Sequence, residues 1–460
     1  MKKNAIAVAL VTGLIGMGLA PFSAALASGA SSVGSSLPVT NCLDDNSAGS
    51  LRSVLMGAND GDTIDLSALG CSVVTLTQGE LVPAHSVSIV GPAVALGERP
   101  KITIDANYNG RVINSAPANA LSVSNVIIAN GAVDVPDGTA RGGCIMSGKL
   151  NLDHVEVMDC RVSGQYALGG GIFVTAGAIS MTHSIVTGNR AAGRTSPSAS
   201  GTIVAAGGGI YSYVIPFLDC TVTIVNSTVS DNEATIAVNG HGGQETTFGG
   251  GLGAFFQGNQ RTYISGSTFS GNRADRQSGA IEAWGYVTIA NSTLSGNQAR
   301  YCGATCAINA YGLDIENSTI AFNSAYRNGG VFAPLAGTLI VNSSIIANNY
   351  STEPTAAADL AAAAPLVASG AHNLITSMNE IQFDAVPLNS DPRLLPLMNN
   401  GGFTKTHALA ADSPAIAAGY NGLNLSYDQR GMPFPREVGG LTDIGAFERG
   451  DRIFSDSFEG

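Results

Sequence analysis

The chain has 460 residues, of which 58 are glycine and only 12% carry a charge, which excludes a charged disordered tail and a helical bundle. Hydrophobic residues make up 45%, enough for a large core. The 22 basic and 34 acidic residues leave a net charge of -12, which argues against nucleic acid as a partner.

The first residues read as an export signal over 1–27: Lys2 and Lys3, an apolar run from Ala5 to Ala20, Pro21, and the small-residue site Ala25-Leu26-Ala27. No later stretch is long and apolar enough to span a bilayer, so no transmembrane segment is expected once the signal is removed. Export to an oxidising compartment makes disulfides the first reading of the seven cysteines. Spacing alone does not prove pairing; the expected pairs are Cys42 with Cys71, Cys144 with Cys160, and Cys302 with Cys306, leaving Cys220 as the odd thiol.

Residues 28–120 read as an N-terminal cap with the first coils, in which Ser50 caps a short helix through Leu51, Val54 and Leu55. Residues 121–351 carry a repeat, clearest in VTIANSTLSGN (287–297), LDIENSTIAFN (313–323) and TLIVNSSIIAN (338–348). One column is apolar throughout (Val123, Leu152, Met181, Ile224, Ile264, Ile289, Ile315, Ile340), and so is a second (Ile128, Val157, Val186, Val229, Phe269, Leu294, Ile320, Ile345). Small or polar residues alternate with the first column, which is strand periodicity, and each unit is too short for a strand, a helix and a second strand. The expected fold is therefore all-β: a parallel β-helix in which neighbouring coils supply each other's backbone hydrogen bonds.

The copies end on Asn189, Asn232, Asn272, Asn297, Asn323 and Asn348, expected as an inward asparagine ladder that satisfies backbone groups at a bend. Six residues earlier lies a second column, Asn125, His154, His183, Asn226, Gly266, Asn291, Asn317 and Asn342, read as another bend. The glycine motifs GGCI (142–145), GGGI (169–172 and 207–210), GGGL (249–252), SGAI (278–281) and NGGV (328–331) read as tight corners rather than a phosphate cradle. The surplus residues Arg190 to Ala206 and Glu233 to Phe248 read as protruding loops. Residues 352–448 lose the repeat and read as final coils and an irregular cap; 449–460 form a tail.

The segment SLRSVLMGANDGDTIDL (50–66) resembles the opening signature of secreted bacterial β-helix proteins, and the glycine and asparagine repeats resemble those of polymorphic outer-membrane proteins. DPRLLPLMNNGGFTKTHAL (391–409), SPAI (413–416), DQRG (428–431) and DIGAFE (443–448) resemble the C-terminal region of choice-of-anchor Q domain proteins. The resemblance implies a pectate-lyase-like right-handed β-helix on an exported bacterial protein, found in the medium or at the cell surface.

For chemistry, Arg273, Asp275, Arg276, Arg300, Tyr301, Tyr326 and Arg327 follow consecutive ladder asparagines and should form a stripe along one edge of three adjacent coils. This stripe is the candidate surface for an extracellular polysaccharide or a surface protein. A lyase would need a basic residue plus clustered acids holding calcium, and a glycoside hydrolase a pair of carboxylates; no such set stands out. The GHGG segment around His241 resembles the Gly-His-Gly of polygalacturonases without that family's other motifs. His154 and His183 share a column one coil apart, but Asp65, Asp105 and Asp153 show no cluster, so no metal site is assigned. The outward column Thr228, Thr268, Thr293 and Thr319 is a repeat feature, not an ice-binding array. The reading is an adhesion or binding module without catalysis and without a cofactor. The alternative is a polysaccharide lyase or glycoside hydrolase on acidic polysaccharide, calcium entering only with a lyase.

Overall fold

Each repeat buries its apolar columns by winding into a coil and stacking on the next. The computed structural model describes residues 34–194, 201–213, 221–237, 245–255, 260–307, 310–334, 337–353 and 357–450. The export signal, most of the tail, Cys220 and His241 lie outside these residues. Among the described residues the strands form three sheets of 19, 11 and 10 strands, and every pairing between them is parallel. The fold is a right-handed parallel β-helix.

One coil shows how the sequence bends the chain. Strand Ile172–Thr182 belongs to the first sheet, Ile185–Thr187 to the second and Arg190–Gly193 to the third. The first turn is His183 at φ 44°, and the second is Gly188 at φ 66° followed by inward Asn189. The first-turn column is left-handed in every copy: Asn125, His154, His183, Asn226, Gly266, Asn291, Asn317 and Ser343 all have positive φ. Glycine and asparagine tolerate this conformation best, which explains the composition of the column.

Two ladders run up the interior. The Asn272 amide nitrogen and Nδ2 both donate to Asn297 Oδ1, at 3.0 and 2.9 Å, and Nδ2 also donates to Val229 O. Asn189, Asn232, Asn297 and Asn323 repeat the pattern, all fully buried. The second ladder is serine, which sequence reasoning did not separate from the bend column. The backbone nitrogen of each of Ser184, Ser227, Ser267, Ser292 and Ser318 donates to the hydroxyl of the next serine, ending at Ser344.

The last copy is shifted by one residue from its expected register. Ile315 pairs with Val341 and Ile320 with Ile346, not with Ile340 and Ile345. Asn323 therefore donates to Asn349, which donates in turn to buried Asp359 at 2.9 Å, and the ladder ends there. Asn348 is not a rung: it holds the left-handed position before the ladder, at φ 59°. Likewise Ser343, not Asn342, occupies the bend.

The expected helix forms at Leu51–Met56, with Ser50 Oγ accepting from Ser53 N and with Leu51 and Leu55 buried. Arg52 fastens it, donating to Asp44 at 2.7 Å and to the carbonyls of Gly79 and Glu80. All three expected disulfides are present: Cys42–Cys71, Cys144–Cys160 and Cys302–Cys306. Cys160 takes the ladder position at the top of the asparagine column, its amide donating to Asn189 Oδ1.

The irregular C-terminal region lies back along the outer face of the 11-stranded sheet. Thr268 donates to Lys405 O, Thr404 to Gly266 O and Asn317 to Tyr420 O, joining residues more than 100 apart in sequence. Thr268, Thr293 and Thr319 are thereby buried, so most of the threonine column faces protein. Within this strap the DQRG and DIGAFE segments close on each other: Asp428 accepts from Arg430 and from Glu448 N, and Glu448 accepts from Asp443 N. The Arg430 guanidinium lies between the Phe434 and Phe447 rings, 3.8 and 3.9 Å from their centroids.

Candidate ligand-binding groove

In the 10-stranded sheet the chain leaves each ladder asparagine as a short strand. The residue after the asparagine points outward, the next inward and the third outward again. Register pairs Arg273 with Gln298, Gln298 with Ser324, and Ser324 with Tyr350, so these four form one outward column. Asp275, Arg300, Tyr326 and Thr352 form the parallel column two residues on. The columns flank Ala274, Ala299 and Ala325, whose side chains turn inward, and enclose a groove of about 380 Å³.

The segments expected as protruding loops contribute to the sheet instead. Arg190–Gly193 and Ile203–Ala206 are strands in one coil, Glu233–Ile236 and Glu245–Phe248 in the next. The tips, 195–200 and 238–244, lie outside the described residues. From Arg273 onward each coil carries only a two-residue strand in this sheet. The sheet thus narrows where the groove begins.

Of the seven stripe residues, Arg273, Asp275, Arg300 and Tyr326 line the groove. Arg276, Tyr301 and Arg327 do not line it; they lie beside it along the same coils. Arg276 N donates to Thr247 Oγ1, Tyr301 N donates to Arg276 O, and the Arg327 guanidinium stands 5.4 Å over the Tyr301 ring. Arg327 also lies 3.7 Å from Glu353. Gln298, Ser324, Tyr350 and Thr352 were missed. They lie one and three residues past a rung, a signal present in the sequence, but placing the last rung at Asn348 shifted Tyr350 and Thr352 out of line.

The electrostatics of the groove are set by pairing. Both oxygens of Asp275 are engaged, Oδ1 by Arg273 Nη2 at 3.0 Å and Oδ2 by Ile236 N at 2.8 Å. Arg300 is exposed and has no acidic partner among the described residues. Its charge stands in the groove next to Asp275 in the outward column, without an ion pair among the described residues. Tyr326 and Tyr350 are 48% and 62% exposed, presenting ring surface beside that charge. Among the described lining residues Asp275 is the one carboxylate. The groove can bind an anion and stack a flat apolar face; the paired carboxylates of a hydrolase are not among its lining.

Two buried carboxylic acids lie away from the groove, Glu282 beside Ser278 and Glu448 among Arg436, Asp443 and Asp428. Burial pushes Glu282 up to about 8 against the lowering effect of its Ser278 hydrogen bond, and it is 1% exposed. Burial likewise pushes Glu448 up to about 8, with Asp443 N donating to it. Glu282 accepts from Ser278 Oγ, whose oxygen also receives the Cys306 amide. Both acids are built into packing.

No protein-family model matches the chain, and no curated protein matches its sequence. Among solved structures, the crystal structure of pectate lyase Pel9A is similar at 14% identity, covering 91% of this chain and 97% of that one with a TM-score of 0.47.

Proposed function

We propose that the protein is a secreted or cell-surface binding module whose groove along residues 273–352 holds an acidic glycan without cleaving it. The observation that carries this reading is Arg300, without an acidic partner among the described residues, flanked by exposed Tyr326 and Tyr350 along the alanine row. A guanidinium forks onto a carboxylate or sulfate, while tyrosine rings stack on the apolar face of a sugar. Repetition of these groups at one coil spacing suits a linear, repeating ligand better than a compact one. Three disulfides fit an oxidising compartment, and no helix among the described residues is long and apolar enough to cross a membrane. The terminal resemblance to choice-of-anchor Q domain proteins supports the same placement.

The alternative, a lyase or hydrolase on acidic polysaccharide, has less support because Asp275 spends both oxygens on Arg273 and Ile236. The test is retention of the mature protein on immobilised polygalacturonate and alginate against a neutral glucan. Salt-sensitive retention on the acidic polymers, lost in Arg300→Ala, supports the reading; equal behaviour on all three contradicts it.

A further inference from the structure

The first-turn column asks only for a residue that accepts a left-handed backbone, and asparagine or glycine fills it in most coils. In two consecutive coils it holds histidine, His154 and His183, whose rings stack 4.8 Å apart. Nothing in the bend requires imidazole. Directly before His154 stands Asp153, and this carboxylate faces both rings: Oδ1 lies 3.1 Å from His154 Nδ1 and 3.6 Å from His183 Nδ1. Thr182 Oγ1 donates to the same oxygen at 2.9 Å and fixes its direction. The sequence reading separated these residues because Asp153 shares no motif with the histidines; register brings Asp153 beside Thr182, one residue before His183.

We infer that Asp153, His154 and His183 form a binding site for a divalent transition-metal ion of the zinc class. Each residue offers one ligand atom, and the three atoms lie within 4.8 Å of one another. Metal bonds of about 2.0 to 2.2 Å in tetrahedral geometry put ligand atoms about 3.3 Å apart. The two carboxylate–imidazole separations, 3.1 and 3.6 Å, bracket that spacing, while the set as a whole spans up to 4.8 Å and the rings are stacked, so binding requires the two imidazoles to turn until their nitrogens face one point. Two imidazoles with one carboxylate select a borderline metal over calcium or magnesium, which take oxygen shells.

Second contacts are in place as well. His183 Nε2 lies 3.4 Å from the Asn226 amide, which after a half-turn offers its oxygen to an Nε2 proton and leaves Nδ1 free for the ion. The Phe403 ring stands edge-on to His183, 5.7 Å away. Both histidines line a cavity of about 120 Å³ with Glu156 and Phe403, so water completes the coordination from that side. Glu156 is already engaged with Arg99 at 2.7 Å and is not counted as a ligand.

The fold itself supplies a mild substitution. Asparagine occupies the same position in neighbouring coils, so His154→Asn and His183→Asn preserve the bend, and Asp153→Asn preserves shape. The experiment is a Zn²⁺ titration of the mature, chelator-stripped protein by calorimetry, with the visible spectrum of the Co²⁺ form recorded beside it. The expected result is one ion per chain with a nitrogen and oxygen spectrum. Each substitution should weaken binding by at least about tenfold, and melting in chelator should stay unchanged. His85→Asn should bind as the parent does. Absence of saturable Zn²⁺ binding in the parent overturns the inference, as does binding unchanged in all three variants. A thiolate charge-transfer band in the Co²⁺ form overturns it too, because it places the ion on cysteine.

Discussion

Gln429 Oε1 accepts a hydrogen bond from Thr293 Oγ1 at 2.5 Å, across 136 residues of chain. The same side chain turns its Nε2 to Thr268 Oγ1 at 2.8 Å and to Thr404 Oγ1 at 3.0 Å. One glutamine thus joins two coils and the strap. All four residues are buried, so loss of the amide takes the acceptor from the Thr293 hydroxyl and removes a donor from Thr268 and Thr404, whose hydroxyls stay bonded to Lys405 O and Gly266 O. Gln429→Ala should release the strap locally: amide exchange over 391–448 should quicken while the asparagine ladder keeps its protection. Unchanged exchange over the strap would show that its docking does not depend on Gln429.

The ladder makes a sharper prediction because the final register is specific. Asn349 bonds Ile320 O, Asp359 and the Asn323 side chain, whereas Asn348 sits outside the ladder in a left-handed turn. Asn349→Ala should destabilise by about 2 to 4 kcal/mol, as several buried groups lose partners together. Asn348→Gly keeps the backbone conformation and should cost under about 1 kcal/mol. Denaturant unfolding of the two variants checks this, and the reverse order would restore the register expected from the sequence.

Glu282 gives a pH dependence with a definite sign. Its carboxyl is raised from the ordinary 4.5 to about 8 by burial, so the folded protein keeps a proton that the unfolded chain releases. The corresponding stability is complete below pH 4.5, declines as pH rises, and is gone above about 8. Glu448 acts in the same direction. Melting temperature should fall between pH 6 and pH 9, and Glu282→Gln, which cannot ionise, should fall less steeply. Parallel curves for parent and variant would count against a neutral buried Glu282.

Much of this architecture was legible because solenoid physics writes itself along the chain. Ile264, Ile289 and Ile315 recur at coil spacing because each must face the core, and Asn272, Asn297 and Asn323 recur because a buried bend needs both donor and acceptor. Ser50 and the three disulfides were equally readable from capping preference and an expected oxidising compartment. The last copy misled because TLIVNSSIIANN offers two consecutive asparagines and two consecutive apolar choices at each column, so pattern alone does not fix the register. The strap was illegible for another reason. Gln429 and Thr293 meet through tertiary docking, and no periodicity links a glutamine in an irregular segment to a threonine on a distant sheet. Half of the groove was read from its arginines and Tyr326; polar residues at the same offsets, Gln298 and Ser324, passed as ordinary surface.

The groove carries the functional claim, and Arg300 is its centre. Arg300→Ala removes a charge without an acidic partner among the described residues while Arg273 stays tied to Asp275, so the fold should be untouched and affinity for an acidic glycan should drop by about tenfold or more. Tyr326→Ala with Tyr350→Ala should weaken binding through lost ring contact without altering its dependence on salt.

The most direct measurement incubates the mature protein with polygalacturonate and alginate, with calcium and with chelator, and reads bound polymer and new unsaturated or reducing ends in the same samples. The account predicts bound polymer and no new ends under either condition, with binding reduced in Arg300→Ala. Accumulation of new ends that depends on this protein would contradict it and place the chain among enzymes.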